Sequence, residues 1–265
     1  MDAYTLLTNR LIESNNGSFV TDLICKPSEE QMQTLIEGSG KPESEIQQVN
    51  SSAGLAVNFW KAYELCHPNS KIEFEWKTRI PLKRGFPANI DVVIKDNNTV
   101  TFIESKFLEP YYSGNETPRA SYLDVSKYSK NNRDNAQSWV ALFSQAKIFE
   151  VYNVTQLCRH LLAISKDMLI CNKWYKNKQV KLCSVIWEMT HSFSDYFPED
   201  IRLYFDSRKE LIKKEARKSE ILLNDFIERH LDFPNLSFET IKYNDIIDLL
   251  KNSPFYQKIK KQYFL

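Results

Sequence analysis

Glycine is scarce: six residues, at positions 17, 38, 40, 54, 85 and 114, in a chain of 265. That is well below the ~7% usage of average proteins. No pair has the spacing that a phosphate-cradling loop needs. Gly38-Ser39-Gly40 meets Glu43 where a dinucleotide fingerprint has its third glycine, and Gly40-Lys41 is followed by Pro42 with Leu35 upstream, so Rossmann and P-loop readings fall. Histidine is equally sparse. The four residues at 67, 160, 191 and 230 are never four apart, which excludes H-E-x-x-H, and no G-x-S-x-G elbow occurs. The five cysteines at 25, 66, 158, 171 and 183 are odd in number and contain no C-x-x-C. A disulfide framework and a closed zinc site are therefore not expected, and a reducing, cytoplasmic setting is. No stretch approaches the ~18 apolar residues of a membrane span. The start Met1-Asp2-Ala3-Tyr4 has no basic n-region, so neither membrane insertion nor an export signal is expected. Neither sign of charge dominates, with 35 basic against 34 acidic residues and a net charge of +1. Whole-chain charge is silent about a polyanionic partner.

What the chain has in quantity is aromatic area: 16 Phe, 13 Tyr and 5 Trp, enough to fill a core that is lean in aliphatics. Its length suits one elaborated domain, and no repeat or Gly/Ser/Pro linker marks a boundary. Residues 28 to 37 read as a short helix ending at Gly38, and a polar stretch runs from Ser39 to Asn50. Ser52 to Leu65 reads as an amphipathic helix capped by Ser51 or Ser52 and stopped at His67-Pro68. From Lys71 the period changes to two, with Ile72, Phe74 and Trp76 alternating with Glu73, Glu75 and Lys77, the pattern of a half-buried strand. Strands follow at about 89 to 95 and 100 to 107, joined by the turn-rich Lys95-Asp96-Asn97-Asn98-Thr99. A Tyr/Pro/Gly loop near 108 to 122 precedes helices at roughly 134 to 149 and 153 to 165, and Val180 to Met189 reads as a buried strand. The rest, opened by Pro198-Glu199-Asp200, is long and mostly helical, with a short strand near 236 to 241. The expectation is an α/β fold: a mixed sheet flanked by helices, with a core at about 50–190 and a helical C-terminal extension at about 198–265.

The chemistry-bearing stretch is Asn89-Ile90-Asp91-Val92-Val93-Ile94 and, across the turn, Thr101-Phe102-Ile103-Glu104-Ser105-Lys106. A hairpin centred between Asn97 and Asn98 makes Val92 the partner of Ile103 and Asp91 the partner of Glu104. Strand parity then puts Lys106 on the face of Glu104. Two carboxylates converge beside one ammonium. Such a pair repels unless a proton or a cation intervenes, and oxygen ligands without thiolate or imidazole suit Mg²⁺ or Mn²⁺ rather than zinc.

Asp91, Glu104 and Lys106 resemble the D, E and K of the PD-(D/E)XK nuclease superfamily. The strings Ser51-Ser52-Ala53-Gly54-Leu55-Ala56-Val57-Asn58-Phe59, Ile103-Glu104-Ser105-Lys106-Phe107-Leu108-Glu109-Pro110 and Thr155-Gln156-Leu157-Cys158-Arg159-His160-Leu161-Leu162 are similar to its bacterial restriction-endonuclease-like branch. These blocks span about 51 to 165, and Asn89-Ile90 stands where the superfamily name has a proline. The resemblance implies a restriction-endonuclease-like fold and a Mg²⁺-dependent endodeoxyribonuclease, with Mn²⁺ able to substitute. Asp91, Glu104 and the Ser105 carbonyl would hold the metal. Lys106 would orient or deprotonate the attacking water, and the products would carry 5′-phosphate and 3′-hydroxyl ends. A homodimer is compatible with it. The alternatives are a repair or junction-resolving nuclease on the same fold and, from another class, a non-catalytic nucleic-acid-binding or defence-complex subunit.

Around this centre Glu75 is a candidate third acidic ligand, with Glu64 as its rival, and Gln156 and Arg159 are candidate supporting residues on the later helix. Lys77, Arg79, Lys83 and Arg84 lie in a stretch without acids directly before Asp91, as phosphate contacts would. The tail lysines 251, 258, 260 and 261 are the second basic run. Tyr111, Tyr112 and Tyr122 suit base stacking or, more simply, packing.

Overall fold

The period-two run from Lys71 and the turn at Asp96-Asn97-Asn98 dictate an antiparallel meander. The computed structural model, which describes residues 2–79, 87–128 and 135–264, contains one: β1 (Lys71–Arg79), β2 (Pro87–Lys95) and β3 (Thr99–Lys106). The turn closes with Asp96 N–H donating to Thr99 O at 3.0 Å and the Thr99 hydroxyl donating to Asp96 Oδ2 at 2.9 Å. Two further strands, β4 (Gln179–Ile186) and β5 (Leu236–Lys242), lie parallel to β3, giving one mixed sheet in the order β1-β2-β3-β4-β5. Parallel pairing requires crossovers that cover the faces. β4 is accordingly buried over most of its length.

Among the described residues the helices are α1 (Ala3–Ser14), α2 (Glu29–Ser39), α3 (Glu43–Ile46), α4 (Ser52–Cys66), α5 (Glu109–Tyr112), α6 (Ala136–Ala146), α7 (Val154–Ile170), α8 (Asn172–Tyr175), α9 (His191–Ser194), α10 (Glu199–His230), α11 (Tyr243–Ile246) and α12 (Tyr256–Tyr263). None is long and apolar enough to cross a membrane. Local signals place the ends. Ser28 forms a capping box with Gln31, Ser51 accepts from Gly54 N–H at 3.1 Å, and Gly40 supplies the left-handed residue after α2 with φ 68°. Several details differ from the sequence reading: β4 ends at Ile186 rather than Met189, and α6 covers Ala136–Ala146 rather than about 134 to 149. α1 lies outside the expected elements; it is capped by Asp2 and buries Leu7 and Leu11. The polar stretch before Asn50 contains the single turn α3, and α7 runs five residues past the expected end, burying Met168.

Strand parity sorts the layers. Ser105 Oγ is 2.7 Å from the hydroxyl of Tyr243, whose ring packs edge-on against Phe59 of α4, while the neighbouring Glu104 meets His160 of α7. α4 and α7 therefore flank opposite faces of β3. The C-terminal part is helical and also completes the sheet: β5 pairs with β4, and Asn224 of α10 binds both N–H and C=O of Phe238 at 2.9 Å, sealing the outer edge. The tail then packs back on α4, with the Asn58 amide donating to the Tyr263 hydroxyl at 2.9 Å.

Candidate active site

The hairpin holds the expected register from Lys95↔Val100 to Val92↔Ile103. Asp91 and Glu104 come next in line, and there the backbone N–H of Ser105 donates to Asp91 Oδ2 at 2.7 Å. The strand pair thus ends on a side-chain carboxylate that anchors itself to the opposite strand. Glu104 is 1% exposed, and each of its oxygens has a partner: Oε1 lies 2.6 Å from Lys106 Nζ and Oε2 lies 2.7 Å from His160 Nε2. His160, also 1% exposed, comes from the middle of α7.

These neighbours divide the protons unequally. Burial alone would push Glu104 up, but the Lys106 and His160 contacts overcome it and hold the carboxyl at about 2. Asp91 is pushed well above the ordinary carboxylate range by burial and by the charge on Glu104, which outweigh Lys106 and the Ser105 N–H. Lys106 is raised above its usual value because Glu104, Glu109 and Asp91 outweigh the burial that would lower it. The surroundings therefore favour the charged forms of Glu104 and Lys106 and disfavour the charged form of Asp91.

Glu75 joins from β1. The β1–β2 register passes from Phe74↔Val92 to Trp76↔Ile90, so Glu75 stands across from Asp91, but its φ of 51° turns it out of the ladder. A non-glycine residue in the left-handed region is strained, and such strain persists only where the surroundings enforce it. Gly38 of α2 is part of that enforcement, because a methyl there would overlap Glu75 Cβ and Cγ. The Asn89 amide also donates to Gly38 O at 2.7 Å, holding the helix end on the strands. Glu75 is 7% exposed, and burial followed by repulsion from Glu104 pushes it to about 7.

Glu75, Asp91, Glu104, Ser105, Lys106, Gln156 and Arg159 line one recess of about 370 Å³. A second cavity of about 320 Å³ shares Glu104, Lys106 and Gln156 with it and continues towards Tyr152 and Ser184. Arg159 is paired with Glu116 at 3.2 Å. Glu64 is elsewhere: it accepts from Ile72 N–H at 3.2 Å and pairs with Lys61, capping the edge strand β1. Lys77 is exposed and donates to Glu37 O at 3.0 Å, whereas the Arg79 side chain, Lys83 and Arg84 lie outside the described residues. Of the tail lysines, Lys251 pairs with Asp248 at 2.7 Å. Tyr111 and Tyr122 are core residues, the first accepting from Met189 N–H at 2.9 Å and the second stacked on Phe143. Half-exposed Tyr112 lies edge-on to Tyr4.

His160 is the neighbour that sequence reasoning passed over. The available signal was its position one turn after Gln156 on α7, among the apolar residues Leu157, Leu161 and Ile164. In donor chemistry, Asp91, Glu104 and the Ser105 carbonyl supply only hard oxygens. The carbonyl accepts from Ser52 Oγ at 3.0 Å and retains a second lone pair. Among the described residues no three His, Cys, Asp or Glu side chains converge as a preformed cage. Mg²⁺, which keeps several waters, needs only one or two carboxylates.

A family model described as Restriction Endonuclease associating with ARP matches residues 21–264. No curated protein and no solved structure matches the chain.

Proposed function

The chain belongs to this family of restriction endonucleases associating with ARP, and from that membership we propose that it is a Mg²⁺-dependent nuclease hydrolysing phosphodiester bonds in DNA. The observation that carries the reading is Glu104, buried between Lys106 and His160, with the Asp91 carboxyl anchored beside it in one recess.

Asp91, Glu104 and the Ser105 carbonyl would hold the cation, with Glu75 as the third carboxylate within the recess. A bound Mg²⁺ acidifies water and neutralises charge on phosphate oxygens. Lys106 is held firmly as an ammonium by Glu104, which favours donation to the attacking water or to a phosphate oxygen over a role as base. Gln156, lining both cavities at the same point, is placed to support the bound strand. Lys77, with Arg79, Lys83 and Arg84 after it in the chain, is the proposed backbone contact.

The test is cleavage of plasmid, linear and single-stranded DNA with Mg²⁺, Mn²⁺, Ca²⁺ or EDTA. Asp91→Ala, Glu104→Ala and Lys106→Ala should each lower the rate by at least about 10²-fold while the protein stays folded by circular dichroism. Metal-dependent cleavage that survives all three substitutions overturns the assignment.

A further inference from the structure

We infer that His160 is a positioning residue: it holds Oε2 of Glu104 so that the carboxylate presents Oε1 alone to a cation. The inference rests on the proposed cation site and adds the element that orients it. Glu104 pairs with the Lys106 ammonium through Oε1, so it is the acceptor, and the proton shared with His160 sits on Nε2. One carboxylate oxygen is thereby committed to α7, and the other, buried against the Lys106 ammonium, is the one left for a cation. Asp91 is built the same way, with Oδ2 committed to the Ser105 N–H. Oε2 of Glu104 and Oδ2 of Asp91 are fixed by α7 and by the backbone of β3, so the directions of Oε1, beside Lys106, and of Oδ1 are set by those two elements.

The plain alternative is a histidine that happens to be satisfied in the core. The surroundings argue against it. His160 is embedded in the apolar face of α7 with Leu157, Leu161 and Ile164, and among the described residues its buried Nδ1 has no hydrogen-bond partner and the Glu104 contact is the one hydrogen bond its ring makes. An orphaned buried nitrogen costs free energy that an aliphatic residue at this position would avoid. The contact to Glu104 is what the imidazole provides in exchange. Partners that lock a ligating side chain in this manner are worth about 10–100-fold in metal affinity.

The experiment is calorimetric titration of the full chain with Mn²⁺, using wild type, His160→Leu, His160→Asn, His160→Gln and Glu104→Gln. Leucine removes the donor and asparagine withdraws it out of reach, whereas the glutamine amide reaches to the place of Nε2. The leucine and asparagine variants should bind Mn²⁺ about 10–100-fold more weakly, and glutamine should restore most of the affinity. Raising Mn²⁺ should recover cleavage in the weakened variants, which a general packing defect would not allow. If the leucine variant does not fold, the asparagine and glutamine pair decides. Equal affinity in wild type and in every folded His160 variant overturns the role of His160 while leaving the cation site intact. Absence of Mn²⁺ uptake by wild type, matching Glu104→Gln, overturns the cation site and this inference together.

Discussion

Glu75→Gln should make the metal-free protein more stable at alkaline pH and leave it nearly unchanged near pH 4. Glu75 is buried opposite Asp91, and its carboxyl is raised from 4.5 to about 7. A carboxyl with a raised value in the fold adds stability that is complete below 4.5, its unfolded value, and is lost as pH rises through about 7. At about 1.4 kcal/mol per tenfold change in proton affinity, ionising this group in place costs about 3 kcal/mol. Glutamine keeps the size and drops the charge, so the variant should gain about that much on wild type between pH 4 and pH 8.5. Glu104, held at about 2, loses its contribution only as pH falls through that value and does not interfere. Urea unfolding in EDTA, followed by tryptophan fluorescence at the two pH values, measures the difference. With a slope of about 3 kcal/mol per molar, the midpoints should separate by about 1 M at pH 8.5. Unfolding free energies that stay parallel across the range would refute the reasoning.

Gly38→Ala forces a methyl onto the Glu75 side chain. Overpacking of this kind costs about 1–3 kcal/mol, so a thermal unfolding midpoint equal to that of wild type would show that α2 does not press on Glu75 as described. Glu215→Gln removes a buried carboxylate that accepts the N–H groups of Glu150, Val151 and Tyr152 at 2.8, 2.9 and 2.9 Å. It should cost about 1–3 kcal/mol and speed hydrogen exchange at those three amides, of which Val151 and Tyr152 line the cavity beside Lys106; unchanged protection would contradict that tie.

Much of the site's frame was legible because it is local. The alternation from Lys71, the turn at Asp96-Asn97-Asn98 and the Ser51 cap are short-range preferences, and a tight hairpin fixes register by itself. Asp91 and Glu104 are therefore brought together by residues that lie between them in the chain. The helical tail was legible in outline from its periodicity. What the local pattern could not reveal is the company these residues keep: His160 under Glu104, Gly38 pressing Glu75 into a left-handed conformation, Glu64 drawn away to cap β1, and β5 laid parallel on β4. Most join residues separated by long stretches of chain, and the others depend on how a helix end meets a strand or oppose a local preference. Helix and strand propensities say nothing about which faces meet, because that choice depends on burying apolar area and satisfying polar groups throughout the packed fold. The two carboxylates are thus aligned by the sequence of one hairpin, whereas their charge states and the direction of their oxygens are set only when α2, α7 and the sheet close around them.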